Sequence, residues 1–213
     1  MDRSYWNSYY QHHGKDKGIN ACSTFAKFCL DKFFTKEELN IVELGSGNGR
    51  DAVYFAHHKL NIIAIDQSTT AIEIEKESIK EDVNGYLNPR ALDFVSEDYS
   101  KYESIDAFYS RFTIHAITKD DEELLLPKVY SALNNGGLFC IEVRTTKDTK
   151  FGVGENCGDN TFITDHKRRF IDSHIFLNQV LTLGFKLLYF TEEDDLSVYQ
   201  DDNPVLMRLI LQK

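Results

Sequence analysis

Cysteine and basic charge are both scarce in this sequence of 213 residues. Its four cysteines form no C-x-x-C pair, so they match neither a zinc-ligand spacing nor a small disulfide scaffold, and we expect reduced thiols. Only 24 lysines and arginines face 34 aspartates and glutamates, which gives a net charge of −10. A field of this sign repels a polyphosphate backbone, so nucleic acid is not an expected partner.

Long apolar runs are missing as well. No segment approaches the roughly eighteen uninterrupted apolar residues of a membrane span, and the first residues lack the basic start and apolar stretch of a signal peptide. We therefore expect a cytoplasmic protein without a membrane span. The pairs His12-His13 and His57-His58 have no carboxylate or cysteine at ligand spacing, which predicts no bound metal.

Short apolar runs alternate with helical spacing along the chain, and at this length one domain is expected. Seven runs are typical of strands: 40–44, 61–66, 86–92, 105–110, 138–143, 185–190 and 204–211. The last two can pair as a hairpin. Strands that alternate with helices predict an α/β fold with a mainly parallel sheet covered on both faces.

Polar residues at the starts of the predicted helices are suited to capping them. Asp120 or Asp121 is expected to cap the helix that ends near residue 133, and Asp172 or Ser173 the helix that ends near residue 184. A further helix is predicted over 19–34, before the first strand.

A glycine-rich turn, residues 43–49 (ELGSGNG), leads from the first predicted strand into a helix. Missing side chains there let a ligand approach the backbone closely. A nicotinamide fingerprint that starts at Gly45 needs a third glycine where this chain has Arg50. A nucleotide-dependent oxidoreductase is therefore the weaker alternative.

The turn resembles the E-x-G-x-G-x-G first motif of class I S-adenosylmethionine-dependent methyltransferases. Glu43, Gly45, Gly47 and Gly49 match it residue by residue, which implies that they hold the methionine part of S-adenosylmethionine and of its product S-adenosylhomocysteine. The resemblance reaches the C-terminal hairpin. It implies a single domain over 1–213, with a Rossmann-like, doubly wound, seven-stranded core at 40–213 and a helical lid segment at 1–35.

The same resemblance assigns further cofactor residues. Asp66 ends the second predicted strand, where a carboxylate accepts hydrogen bonds from the ribose hydroxyls of a bound adenosine. Gln67 follows it, Asp93 matches the position that binds the adenine amino group, and Phe94 can pack on the ring. Without a cofactor, the glycines are only a tight turn, and Asp66 and Asp93 are helix caps or solvated loop residues.

The acceptor site is expected beyond the carboxyl end of the fourth strand, as in other open parallel sheets. Arg111 and His115 lie there, and His115 or His166 is the candidate base for a hydroxyl acceptor. Alternatively, His115 packs between elements and Arg111 pairs with a surface acid. This segment lacks the Asn/Asp-Pro-Pro-aromatic motif of methyltransferases that modify adenine or amide nitrogens.

The segment 166–170 (HKRRF) is a local basic exception in an acidic chain. Arg168 and Arg169 are predicted to bind an anionic acceptor through paired hydrogen bonds, although a solvated basic turn is the alternative. Tyr9, in the aromatic N-terminal segment, is assigned to the substrate side. A phosphate or carboxylate acceptor is already a nucleophile, in which case Arg111, Arg168 and Arg169 matter more than His115.

A second, looser resemblance rests on residues 166–170 and 201–208. These segments are similar to methyltransferases associated with bacterial surface-polysaccharide synthesis, some of which act on phosphate-type groups. The resemblance implies O-methylation of a small or glycan-linked acceptor that carries a phosphate-type group or a hydroxyl. A binding domain without catalysis is the remaining alternative, and the sequence does not decide the oligomeric state.

Overall fold

Six α-helices and ten strands are found in the computed structural model, which describes residues 3–14, 21–79 and 83–213. The helices are α1 (Arg3–His13), α2 (Thr24–Lys32), α3 (Arg50–His57), α4 (Thr69–Ser78), α5 (Lys119–Ala132) and α6 (Ser173–Thr182). The strands are β1 (Asn40–Leu44), β2 (Asn61–Asp66), β3 (Tyr86–Ala91), β4 (Ala107–Arg111), β5 (Leu138–Arg144), β6 (Glu155–Asn156), β7 (Thr161–Ile163), β8 (Lys167–Arg169), β9 (Lys186–Glu193) and β10 (Leu206–Gln212).

Seven of the strands form one sheet in the order β3-β2-β1-β4-β5-β10-β9. The first five of these are parallel neighbours, whereas β10 runs antiparallel to both β5 and β9. The predicted Rossmann-like sheet with a C-terminal antiparallel hairpin is confirmed. Since β1 lies next to both β2 and β4, the strand order reverses direction there, and ligands of such sheets bind at this switch point.

Alternating side chains of the strands pack into two apolar clusters, one on each face of the sheet. Phe108 and Leu209 belong to one cluster, and their neighbours Tyr109 and Ile210 belong to the other. All four are completely buried. The central strands are therefore covered on both sides, as their lack of polar alternation predicts.

Helix starts agree with the sequence in part. The side chain of Asp172 accepts hydrogen bonds from two backbone amides at the start of α6, as expected. The expectation for α5 was wrong. Thr118 caps it, and Asp121 is the partner in a capping box, three residues into the helix. Asp121 thus contributes from inside the helix rather than at its cap.

The N-terminal region contains more structure than one helix before β1. α2 begins after Ser23, whose hydroxyl accepts from the amide of Ala26, while the predicted start at Ile19 lies outside the described residues. α1 lies against α4. No helix within the described ranges is long and apolar enough to cross a bilayer.

A small second sheet was not predicted. Strands β6, β7 and β8 pair antiparallel in that order, and the basic segment 166–170 includes β8. These strands have only two or three residues each, too few to produce a period-two pattern.

Candidate functional site

A cleft of about 410 Å³ opens at the carboxyl ends of the parallel strands. Its walls come from α1, the glycine turn, the ends of β1, β2, β4 and β5, and the loop 194–205. Five of the predicted site residues line it: Tyr9, Glu43, Gly45, Asp66 and Arg111. The fold thus brings the glycine turn and the predicted acceptor side to one cavity.

The glycine turn depends on its glycines. Gly45, Gly47 and Gly49 have φ values of +70°, +59° and +79°, a conformation that costs other residues about 1–2 kcal/mol. A Cβ atom at Gly47 would also collide with the hydroxyl oxygen of Tyr10, and one at Gly45 with the methyl group of Thr113. The loop backbone is consequently in close contact with Tyr10 of α1 and with Thr113, which follows β4.

Asp66 joins β2 to the glycine turn. Its carboxylate accepts hydrogen bonds from the amides of Gly47 (2.9 Å) and Ser68 (2.8 Å). Burial raises its pKa, and these two hydrogen bonds oppose that shift. Each carboxylate oxygen retains a lone pair, so further hydroxyl donors can bind.

The other residues assigned to the adenosine side differ in exposure. The side-chain nitrogen of Gln67 is buried and has no hydrogen-bond partner among the described residues, which leaves a donor for a ligand. Asp93 is exposed and its Oδ1 accepts from the amide of Val95 at 3.0 Å. Phe94 is buried in the core beside Gly45. Their roles in binding adenine stay predictions.

Buried acids surround the glycine turn. Glu43 is only 4% exposed, and its Oε2 has no hydrogen-bond partner within the described ranges. Burial, together with the charges of Asp51 and Glu75, raises the pKa of Glu43. Glu75 accepts from the Ser46 hydroxyl at 2.9 Å, and burial raises its pKa to about 8. A positively charged ligand would offset the cost of these carboxylates.

Asp51 is a site residue that the sequence reasoning missed. It lies in the first turn of α3 and lines the cleft. Its carboxylate accepts from the Ser23 amide (2.6 Å), the Ser23 hydroxyl (2.7 Å) and the Tyr109 hydroxyl (2.8 Å). The sequence did contain a signal for it: an acidic residue follows the glycine turn at the start of a helix, where the helix dipole is positive.

Guanidinium groups line the other end of the cleft. Arg111 donates to Glu142 Oε1 and to Ser197 Oγ, both at 2.9 Å, and its guanidinium carbon lies 4.2 Å from the centre of the Phe112 ring. The guanidinium carbon of Arg144 lies 6.0 Å from the centre of the same ring, and Arg144 also lines the cleft. The sequence reasoning missed Arg144, although its position at the carboxyl end of β5 was a signal.

His115 is held in a structural contact. Its Nδ1 accepts a hydrogen bond of 3.2 Å from the amide of Arg144, so the hydrogen of the neutral ring is on Nε2. Burial, then the charge of Arg144, lowers its pKa well below the ordinary value. Because the lone pair of the neutral ring is already used, this geometry disfavours His115 as a base.

His166 lies between α1 and the small sheet. Its Nδ1 is 3.0 Å from the hydroxyl of Tyr5 and 2.9 Å from a carboxylate oxygen of Asp165. Its Nε2 faces the guanidinium of Arg168 at 2.9 Å, so both ring nitrogens are engaged. Burial, followed by the charge of Arg168, lowers its pKa. The contact fastens α1 to the small sheet.

Arg169 points into the protein and not into the cleft. It is 6% exposed and donates to the carbonyl oxygens of Ile117 and Ile114, each at 3.0 Å, and to Glu122 at 2.6 Å. These contacts engage both Nε and Nη2 of its guanidinium. The expectation that Arg169 binds an acceptor is therefore corrected: the geometry makes it an anchor of β8 against α5.

Comparison with known proteins agrees with this geometry. Residues 41–137 match the family model described as "Methyltransferase domain". The matched stretch covers less than half of the chain. The match includes the glycine turn, Asp66 and Arg111 and ends before β5.

Sequence relatives of this chain include two enzymes named carboxy-S-adenosyl-L-methionine synthase. The one from Nautilia profundicola is 27% identical over 56% of this chain and 50% of its own length. The one from Histophilus somni is 28% identical over 58% of this chain and 51% of its own length. The chain thus spans about half the length of the curated relatives that it matches.

Solved structures share the fold at low identity. The 1,6-didemethyltoxoflavin-N1-methyltransferase of Burkholderia thailandensis, bound to 1,6-didemethyltoxoflavin and S-adenosylhomocysteine, gives a TM-score of 0.74 at 14% identity over 99% of this chain and 86% of that one. A Methanosarcina mazei S-adenosylmethionine-dependent methyltransferase gives 0.71 at 13% identity over 86% and 96%. These structures confirm the fold, and the domain match and the sequence relatives agree with the predicted enzyme class and cofactor.

The cleft suits S-adenosylmethionine chemically. The cofactor carries an ammonium group and a cationic sulfur, whereas Glu43 has a carboxylate oxygen next to the glycine turn that no described residue contacts by a hydrogen bond. The side-chain nitrogen of Gln67, which follows Asp66, likewise has no hydrogen-bond partner in the described part of the chain. Buried polar atoms without partners are rare in proteins, and a ligand that supplies the partners removes their cost.

Proposed function

We propose that this protein is a methyltransferase that transfers the methyl group of S-adenosylmethionine to an oxygen atom of a small acceptor that carries a phosphate or carboxylate group. One observation carries the proposal: carboxylates lie at the ends of β1 and β2 on one side of a single cleft, and guanidinium groups lie at the ends of β4 and β5 on the other. Glu43 and Asp66 line the end at the glycine turn, and Arg111 and Arg144 line the other. A cationic cofactor and an anionic acceptor match this distribution.

The proposed chemistry needs little acid–base help from the protein. When bound, S-adenosylmethionine supplies a methyl group on a positively charged sulfur. An anionic oxygen is a nucleophile at neutral pH, which agrees with the engaged lone pair of His115. Arg111 and Arg144 hold the acceptor in this proposal, and alignment of two bound reactants is worth about 7–11 kcal/mol.

The aromatic helix α1 acts as a lid in this proposal. Trp6 and Tyr9 line the cleft, and Tyr5 fastens α1 to the small sheet through His166. A closed roof excludes water from the reacting groups. Tyr9 faces the substrate side here, and Arg168 adds positive charge beside Arg144.

A glycan-linked phosphate is the first acceptor to test. The looser resemblance to methyltransferases of surface-polysaccharide synthesis rests partly on residues 166–170, and the half-buried Arg168 belongs to this segment. Burial and the neighbouring charge of Arg144 lower the pKa of Arg168. An anion bound near these two cations would relieve their mutual repulsion.

The names of the sequence relatives favour a second candidate, synthesis of a carboxylated S-adenosylmethionine. The carboxylate of such a product would also pair with guanidinium groups. Mass spectrometry of the ligand released from the purified protein separates the two candidates, because the carboxylated molecule is heavier by the mass of carbon dioxide.

An acceptor screen tests the main proposal. Methyl-labelled S-adenosylmethionine is incubated with pairs of acceptors that differ only in the anionic group, such as a sugar phosphate and its parent sugar, or a carboxylate and its amide. We expect label only on the phosphate or carboxylate member of a pair. Equal labelling of the neutral member contradicts an anionic acceptor, and tight cofactor binding without any transfer favours a binding domain.

A further inference from the structure

The guanidinium of Arg144 has two carboxylate partners that differ in character. Asp148 accepts from Nη1 at 2.8 Å, its side chain is completely buried, and its other oxygen accepts from the amide of Lys150 at 2.8 Å. Asp202 accepts from Nη2, but its side chain is 32% exposed. Nη1 of the guanidinium is thus held inside the protein, and Nη2 faces a partner at the surface.

Asp202 belongs to the loop between β9 and β10. The backbones of Asp202 and Tyr199 exchange two hydrogen bonds of 3.0 Å across a tight turn, and both residues line the cleft together with Arg144. The carboxylate of Asp202 therefore reaches Arg144 from the solvent side of the acceptor end. Its second oxygen is 2.7 Å from Nζ of Lys150.

We propose that Arg144 is the anion-binding side chain of the acceptor site, and that the carboxylate of Asp202 occupies the position which the acceptor's phosphate or carboxylate takes. This inference rests on the proposed function. The carboxylate of Asp202 contacts two cationic groups, Nη2 of Arg144 and Nζ of Lys150, as a bound anion would. Guanidinium forks bind carboxylate and phosphate with the same geometry.

An internal carboxylate of this kind makes the site selective for anionic acceptors over neutral ones. A neutral acceptor gains nothing from Arg144 and leaves Asp202 in place, where its side chain fills part of the cleft. An anionic acceptor replaces Asp202 on the guanidinium, so the charge of Arg144 stays compensated in both states. Since Asp202 competes with the acceptor, the apparent affinity for anions is lowered by the fraction of molecules in which Asp202 is bound.

Phosphate binding tests the inference without cofactor or turnover. Inorganic phosphate is titrated at constant ionic strength, and the fluorescence of Trp6, the single tryptophan of the chain and a residue of the cleft wall, reports binding. Asp202→Asn keeps the shape of the turn but removes the charge. We expect it to tighten phosphate binding by about tenfold, since the competitor is weakened.

Asp201→Asn is the matched control, because Asp201 lies on the same turn and is exposed. It should leave the dissociation constant of the wild type unchanged. Arg144→Lys in the Asp202→Asn background should weaken phosphate binding by about tenfold, because lysine lacks the fork. Circular dichroism checks the fold of each variant.

Three outcomes overturn the inference: equal phosphate affinity in Asp202→Asn and wild type, equal tightening in Asp201→Asn, and tightening that persists when Arg144 is replaced. The proposed function can fail separately. If Asp202→Asn tightens phosphate binding but no anionic acceptor is methylated, the anion site stands and the function fails. If an anionic acceptor is methylated with the same KM in Asp202→Asn and wild type, the function stands and Asp202 is only structural.

Discussion

The backbone amide of Gly47 donates a hydrogen bond of 2.9 Å to the carboxylate of Asp66. This contact joins the glycine turn after β1 to the end of β2, so the regions assigned to the methionine and the ribose parts of the cofactor are one structural unit. A change at Asp66 consequently alters the loop as well as the ribose contact.

Replacing Asp66 by alanine should weaken binding of S-adenosylhomocysteine by about 1.5–3 kcal/mol, because a buried acceptor of several hydrogen bonds is lost. Calorimetry measures this directly. Asp66→Asn retains one acceptor oxygen and should lose less. Unchanged affinity in a folded Asp66→Ala protein contradicts the assignment of Asp66 to the cofactor.

Replacing Gly47 by alanine should displace α1. The backbone at Gly47 has φ +59° and a Cβ there collides with the Tyr10 hydroxyl, so the strain of about 1–2 kcal/mol is increased by a steric clash. We expect a shift in the emission of Trp6, which lies on α1, and weaker S-adenosylhomocysteine binding.

Gly152→Ala is a matched control for this change. Gly152 also has a positive φ, +84°, but no atom of the described residues lies within 4 Å of a Cβ built there. It should lower the free energy of unfolding without moving the Trp6 emission. The same spectral shift in both variants would show that backbone strain, and not contact with Tyr10, is responsible.

Glu75 should make the protein less stable as the pH rises. Its pKa in the folded protein is about 8, against an ordinary value of 4.5, so between these values the folded state keeps a proton that the unfolded state has lost. The free energy of unfolding then falls as the pH increases through this range. Urea denaturation between pH 5 and about 8 measures the slope.

Glu75→Gln cannot ionise and should show a flatter pH dependence than the wild type. Glu73 lies on the same helix and is exposed, so Glu73→Gln should retain the slope of the wild type. Parallel curves for Glu75→Gln and wild type would mean that Glu75 does not hold its proton in the folded state.

Replacing Arg169 should lower the stability of the protein, whereas replacing Arg168 should change it little. Arg169→Ala removes the partner of buried Glu122, and such a loss costs roughly 3–5 kcal/mol of stability. Lys119, which also contacts Glu122 at 2.5 Å, should keep the cost near about 3 kcal/mol. Urea unfolding tests this, with Arg168→Ala as the control that changes stability little.

The double variant Arg169→Met, Glu122→Leu removes both charges and should recover part of the lost stability. If Arg169→Ala instead folds as stably as the wild type and loses only acceptor methylation, the anchoring role is wrong. The original expectation of an acceptor contact would then be restored.

Local sequence was sufficient for the parts of the site that depend on backbone conformation. The glycine turn needs positive φ at Gly45 and Gly47. Since glycine adopts positive φ readily, the spacing of the glycines indicates the turn directly. Asp66 was found because it ends a strand with a clear apolar pattern. Thr118 was missed as the cap of α5 because two acids follow it within three residues, and the spacing alone does not say which side chain reaches the free amides.

The sequence by itself determined the seven strands of the main sheet, the glycine turn and the acid at the end of β2, because each depends on residues close together in the chain. Only the tertiary structure decided which charges are paired. Arg144 meets Asp202 across 58 residues, and Arg169 meets Glu122 across 47. The sequence shows the same arginine whether its guanidinium is in an ion pair or open to a ligand. The packing of distant segments decides between the two.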